Sequence, residues 1–251
     1  MRTSTPSTAR FAAAALAAVA TFGLAACGRS AGPVPSPLDP SPAATATAGD
    51  ATAGASAEVA RPSGPVQVFA EPSGRAIATL PATTSFGSPR ALLITARTDG
   101  WLQVQLPLRP NGATGWIRAA GVPVRTVPFG VRVDLSERTL DVLEDGQPVL
   151  HTTVAVGTPD APTPTGRFFV VDKVETGTTS SAYGPFALGL SAHSEVLTEF
   201  AGGDGQVGIH GTNDPSSIGR AASSGCVRVP NDVITDLADL LPLGTPVVIV
   251  G

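Results

Sequence analysis

Glycine and proline cut the second half of the chain into short apolar runs, a punctuation that leaves room for strands and turns and little for long helices. The runs are Val131 to Leu135, Thr139 to Leu143, Val149 to Val156, Phe168 to Val171, Gln206 to Ile209 and Thr245 to Val250. Asp145-Gly146 has the residues of a tight hairpin turn between two of them. Composition agrees, with 28 Gly, 24 Pro and 14% charged residues among 251. One helix is predicted over Asp232 to Leu241. Asn231 after Pro230 is its expected N-cap, and Val233, Ile234, Leu237, Leu240 and Leu241 form its apolar face. The expected architecture is mainly β, a sandwich with minor helix.

Residues 64–125 read as a separate small all-β unit. Its strands are Val66 to Phe69, Arg90 to Ala96, Trp101 to Leu106 and Gly115 to Arg118, with Asp99-Gly100 as a turn. Residues 27–63 consist mainly of Ala, Pro, Ser, Thr and Gly, too poor in large apolar groups to repay the entropy of folding, and are expected to be a disordered tether. Residues 1–26 place Arg2 and Arg10 before an alanine-rich apolar stretch, short for a membrane span and suited to a secretory signal. The formal net charge of -4, with no basic cluster, argues against nucleic acid as a partner.

The residues that carry chemistry are His210 and Cys226. A thiol must lose its proton before it attacks, and histidine is the side chain best suited to take it. Gly211 lets the backbone come close behind the histidine, and Gly225 lets the turn before the cysteine aim N–H groups at one point. The other cysteine, Cys27, ends Leu24-Ala25-Ala26-Cys27-Gly28, which resembles the lipobox of bacterial lipoproteins, where the cysteine is lipidated. That resemblance implies a lipid-anchored, extracytoplasmic protein facing the cell wall, with Cys226 as the unpaired thiol of the exported head. A buried structural cysteine is the plainer alternative.

Two further resemblances follow. Gly100-Trp101-Leu102-Gln103-Val104 with Gly115-Trp116-Ile117 resembles bacterial SH3-like modules of wall-associated proteins. Trp101 and Trp116 then either fill the core or line a groove. Residues 126–251 resemble the L,D-transpeptidase catalytic domain of YkuD type. The match runs through Gly157-Thr158-Pro159 with Thr163 to Phe168, through Tyr183-Gly184-Pro185-Phe186-Ala187-Leu188, and through Ile209 to Asn213 and Ser223 to Arg228. Many members carry a histidine where this chain has Ser224.

The family resemblance implies that Cys226 is the nucleophile, that His210 is its base and later an acid, and that the carbonyl of Gly211 orients the imidazole. Backbone N–H groups of Gly225 and Cys226 are then expected to hold the oxyanion. Arg228, Tyr183, Ser224 and Thr212 are the expected substrate contacts. The implied reaction joins peptidoglycan stem peptides through a cysteinyl thioester with release of D-alanine, without metal or cofactor, and is open to carbapenem-type β-lactams as inhibitors. An L,D-carboxypeptidase using water and an inactive wall-binding lipoprotein are the alternatives. A metal hydrolase built on His151, His193, His210 and Cys226 is disfavoured, because no two of the histidines stand at ligand spacing. His151 and His193 read as ordinary strand or loop residues. The polar, glycine-containing loop from Val174 to Ser181 reads either as surface or as a mobile lid.

Overall fold

The computed structural model describes residues 56–199 and 202–251. The signal segment, Cys27 and all but the end of the tether lie outside the described residues. That end differs from expectation: Ala57–Ala60 is a strand with Val59 and Ala60 buried. It pairs antiparallel with both Leu92–Thr98 and Val124–Val127. The alanine-rich composition hides a strand here because the apolar contribution comes from one valine and from neighbours distant in sequence.

Seven strands between Ala57 and Val127 make one antiparallel sheet. Its order is Ala76–Leu80, Val66–Phe69, Thr114–Arg118, Trp101–Gln105, Leu92–Thr98, Ala57–Ala60 and Val124–Val127. Trp101 is 6% exposed, meets Phe69 edge to face at 5.1 Å and has the Arg118 guanidinium 4.8 Å from its ring centroid, so it is packed between neighbours and not open to a groove.

An eight-stranded sheet follows, ordered Gln147–Thr153, Thr139–Glu144, Phe129–Asp134, Pro246–Val250, Gly166–Glu175, Phe186–His193, Gln206–His210 and Val227–Arg228. Two of its pairings are parallel: Pro246–Val250 with Phe129–Asp134, and Gln206–His210 with Val227–Arg228. Val131, Val133, Leu140 and Val142 from one end of the sheet share a single apolar core with Leu188, Leu190, Val207 and Ile209 from the other. The sheet therefore closes over its own apolar face, and the helix Asn231–Leu240 adds Ile234, Leu237 and Ala238 to that core. Pro230, not Asn231, is the helix N-cap, and no side chain caps it. The carboxamide of Asn231 is engaged elsewhere, as described below.

The long strand Gly166–Glu175 joins the two sheets. Phe168 and Val170 enter the core of the eight-stranded sheet, whereas Phe169 and Val171 enter the core beneath the N-terminal sheet. An uninterrupted apolar run is what a strand buried on both faces requires. Polar contacts run beside it. Gln105 Nε2 donates to the Arg167 carbonyl at 2.5 Å, the Lys173 N–H donates to Ser88 Oγ at 3.3 Å, and Thr84 donates through its hydroxyl to Asp172. The N-terminal unit is thus packed on the sheet that carries His210.

Candidate active site

His210 closes the strand Gln206–His210, and Cys226 precedes the short strand Val227–Arg228 beside it. The register pairs Ile209 with Val227 and His210 with Arg228. One step back, Cys226 falls opposite Gly208. Alternation sends Val207, Ile209, Val227 and Val229 into the core, so Gly208, His210, Cys226 and Arg228 share the opposite face. A strand pairing therefore brings together two residues far apart in sequence.

His210 is 5% exposed, and its Nδ1 donates to the Gly211 carbonyl at 2.6 Å. That bond fixes the tautomer, leaving Nε2 as the ring nitrogen free to serve the cavity. Burial pushes the His210 pKa down from 6.5 to about 4; the Gly211 bond opposes the shift and the Arg228 charge adds to it. Burial also pushes the thiol of half-buried Cys226 up, with a backbone bond at Gly208 and the Arg228 charge pulling the other way. At neutral pH the resting pair is a neutral thiol and a neutral imidazole.

The turn after His210 is held by Asn231. Its Oδ1 accepts the Thr212 N–H at 2.8 Å. The same oxygen lies 2.3 Å from where a Cβ on either Gly184 or Gly211 would sit, and the two glycines face each other across it. Gly184 also has φ +63, a left-handed conformation that glycine adopts without strain. Close approach thus requires glycine at both positions and sets the carbonyl that orients His210.

The turn before Cys226 is held by Ser223. Its hydroxyl donates to the Cys226 carbonyl at 2.5 Å and accepts the Gly225 N–H at 3.1 Å. The expectation that Gly225 supplies an oxyanion donor is corrected here, because its N–H is already committed to Ser223. The Cys226 N–H remains as the candidate donor. Gly225 keeps a conformational role, with φ +114.

Two cavities meet at the pair. The smaller, about 110 Å³, includes Tyr183, Ser194, Leu197, Gly205, His210, Ser224, Cys226 and Arg228 in its lining. The larger, about 930 Å³, is also lined by Tyr183, His210 and Cys226, and reaches Phe86, Arg90 and Leu108 of the N-terminal unit. Tyr183, Ser224 and Arg228 line a cavity that His210 and Cys226 also line. Tyr183 meets the His210 ring edge to face at 4.9 Å. Arg228 has a buried Nε without a hydrogen-bond partner.

Thr212 is a correction. It is 2% exposed, and its hydroxyl serves the backbone of Asp214, so it shapes the turn and does not line either cavity. Val174 and Glu175, expected in a loop, end the strand Gly166–Glu175; the remaining loop from Thr176 to Ser181 is held where Asn213 Nδ2 donates to the Ser180 carbonyl at 3.3 Å.

His151 is exposed and pairs with Asp141 at 2.6 Å. His193 is buried, lines the larger cavity and meets Asp204 at 3.1 Å. Among the described residues, no group of three or more His, Cys, Asp or Glu side chains is placed to hold a metal ion. Asn231 and Ser223 are the site residues that sequence reasoning missed. A serine three positions before the cysteine was the available signal for one; nothing local marked the other.

Residues 128–249 match the YkuD family, the L,D-transpeptidase catalytic domain. The chain is 32% identical to the Bacillus subtilis protein YkuD over 49% of this chain and 67% of that protein. It is 35% identical to Bacillus subtilis YqjB over 49% of this chain and 73% of that one. Among solved structures, that of Enterococcus faecium L,D-transpeptidase is 26% identical, with a TM-score of 0.36, covering 48% of each chain. The chain thus spans about half the length of that solved protein. It belongs to the L,D-transpeptidase family.

Proposed function

We propose that this protein forms cross-links in peptidoglycan by acyl transfer through Cys226. The observation that carries the reading is the fixed tautomer of His210 in a cavity that Cys226 also lines. His210 Nε2 takes the thiol proton as the sulfur attacks the carbonyl carbon between the diamino acid of a stem tetrapeptide and its terminal D-alanine. The Cys226 N–H stabilises the oxyanion. Collapse breaks the C–N bond, His210 returns the proton to the departing D-alanine amine, and a thioester remains. An amine of a second stem attacks the thioester, His210 accepts its proton, and the sulfur leaves as thiolate to be reprotonated, completing a new amide. Because both partners rest neutral, the proton moves in step with the attack of the sulfur on the carbonyl, not beforehand.

The same thiol is the expected target of carbapenem-type β-lactams. Lipidation at Cys27, attachment to the outer face of the cell membrane and an SH3-like character for residues 64–125 complete the proposal.

Intact mass spectrometry with a carbapenem, on wild type and Cys226→Ala, tests the nucleophile. An adduct of one acyl group on wild type alone is expected, and an adduct on both sinks the assignment. Incubation with tetrapeptide muropeptides tests the acceptor. Dimers support cross-linking, whereas tripeptide without dimer identifies a carboxypeptidase and no turnover identifies an inactive domain.

A further inference from the structure

We infer that Arg109 and Asn111, on the N-terminal unit, are positioning residues that hold the segment after His193 as a wall of the cavity at Cys226. The inference rests on the reading of that cavity as the acyl-transfer site. The guanidinium of Arg109 gathers carbonyls from both limbs of the segment: Nη1 donates to Ser194 at 2.7 Å, and Nη2 donates to Asp204 at 2.8 Å and to Leu197 at 3.4 Å. Hydrogen bonds from a charged donor are the strong ones, and the planar fork of arginine suits several acceptors at once.

Asn111 acts two residues further on. Its Nδ2 donates to the His193 carbonyl at 2.8 Å while its Oδ1 accepts the His193 N–H at 2.8 Å. One carboxamide therefore pairs with the end of the strand Phe186–His193 as a neighbouring strand would. Gly205 lets the limbs close. A Cβ there would lie 1.9 Å from the Leu197 carbonyl oxygen and 3.0 Å from Arg109 Nη2, and its φ is +77. The Ser194 N–H then donates to the Gly205 carbonyl at 2.8 Å.

What these bonds hold is part of the site. Ser194, Leu197 and Gly205 line the small cavity with His210 and Cys226. Pro107 and Leu108, just before Arg109, line the larger one with Phe86 and Cys226. The N-terminal unit thus builds the site from two directions: it supplies a wall of one cavity and fastens a wall of the other. Neither Arg109 nor Asn111 lines either cavity, so their effect reaches substrate through the segment they fix.

Hydrogen exchange by mass spectrometry on the full chain, with Arg109→Ala, Asn111→Ala and Arg109→Lys, tests this. Amides of Ser194, Leu197 and Gly205 are expected to exchange about tenfold faster in the alanine variants, with Arg109→Lys in between, while those of Val207 and Ile209 keep their rates. In the same variants KM for a tetrapeptide donor rises about tenfold and kcat holds within about twofold, because His210 and Cys226 are untouched. Unchanged exchange after His193, or an equal rise throughout the sheet, overturns the inference. So does a fall in kcat at constant KM. If wild type turns over no muropeptide, the proposed function fails and exchange alone decides the clamp. Should Arg109→Ala not fold, Asn111→Ala and Arg109→Lys carry the test.

Discussion

Asn231 Oδ1 accepts the backbone N–H of Thr212 at 2.8 Å, and through that one bond the first residue of the only α-helix among the described residues fixes the turn behind His210. A residue that looks like a helix cap by position is spent on the site.

Replacing Asn231 by Ala leaves the Thr212 N–H unpaired and opens a gap between Gly184 and Gly211. A loss of about 1–3 kcal/mol in unfolding free energy is expected, together with a lower kcat as the Gly211 carbonyl loosens. Urea unfolding and single-turnover acylation measure the two; unchanged values in both would remove Asn231 from the site.

Gly184→Ala is expected to destabilise by about 1–3 kcal/mol, since it combines strain at positive φ with overpacking. The added Cβ meets Asn231 Oδ1 at 2.3 Å and the Gly211 Cα at 2.6 Å. Because the second contact is with backbone, Asn231→Gly should not rescue it. Recovery of wild-type stability in the double variant would contradict the packing described.

The lowered pKa of His210 predicts two pH effects. An unpaired base must be neutral, so kcat/KM should hold its plateau well below the ordinary histidine range and fall only near the lowered value of about 4. The unfolded chain binds a proton at its ordinary value of 6.5, whereas the folded chain does not until lower pH. Between these values the unfolded state holds more protons, so stability contributed above 6.5 is lost as pH falls through the window. The loss is on the order of 3 kcal/mol. Chemical denaturation from pH 7 to pH 4 should show this slope in wild type and lack it in His210→Gln.

Ser223→Ala removes the hydroxyl that ties Gly225 to the Cys226 carbonyl. With the turn before Cys226 released, acylation is expected to slow about tenfold, with KM little changed. Pre-steady-state acylation with a chromogenic β-lactam gives the rate, and an unaltered rate would show that the turn holds without Ser223.

The pairing of His210 with Cys226 was legible because its signal is local: glycine beside histidine and glycine beside cysteine in two short motifs, one at the end of the strand Gln206–His210 and the other just before Val227–Arg228. The strand Phe186–His193 was not, although it is paired on both sides within the sheet. The positions that alternate with Leu188 and Leu190, namely Ala187, Gly189 and Ser191, are small, and Ser191 is itself buried, so alternation is faint. The helix was legible from its apolar face, yet Asn231 was misread as a cap, because cap preference is a local rule and its partner Thr212 comes from another turn. Arg109 and Asn111 carry no motif at all. Their partners are backbone carbonyls and an N–H, which no side-chain pattern announces.

The strand from Gly166 to Glu175 alternates its allegiance residue by residue, Phe168 and Val170 to one core and Phe169 and Val171 to the other. Cutting the chain at the apparent domain boundary would therefore leave Phe169, now fully buried, facing water on an open sheet face. A catalytic fragment prepared that way should aggregate or bind hydrophobic dyes. For this chain the smallest unit expected to keep its interior dry is the pair of sheets together.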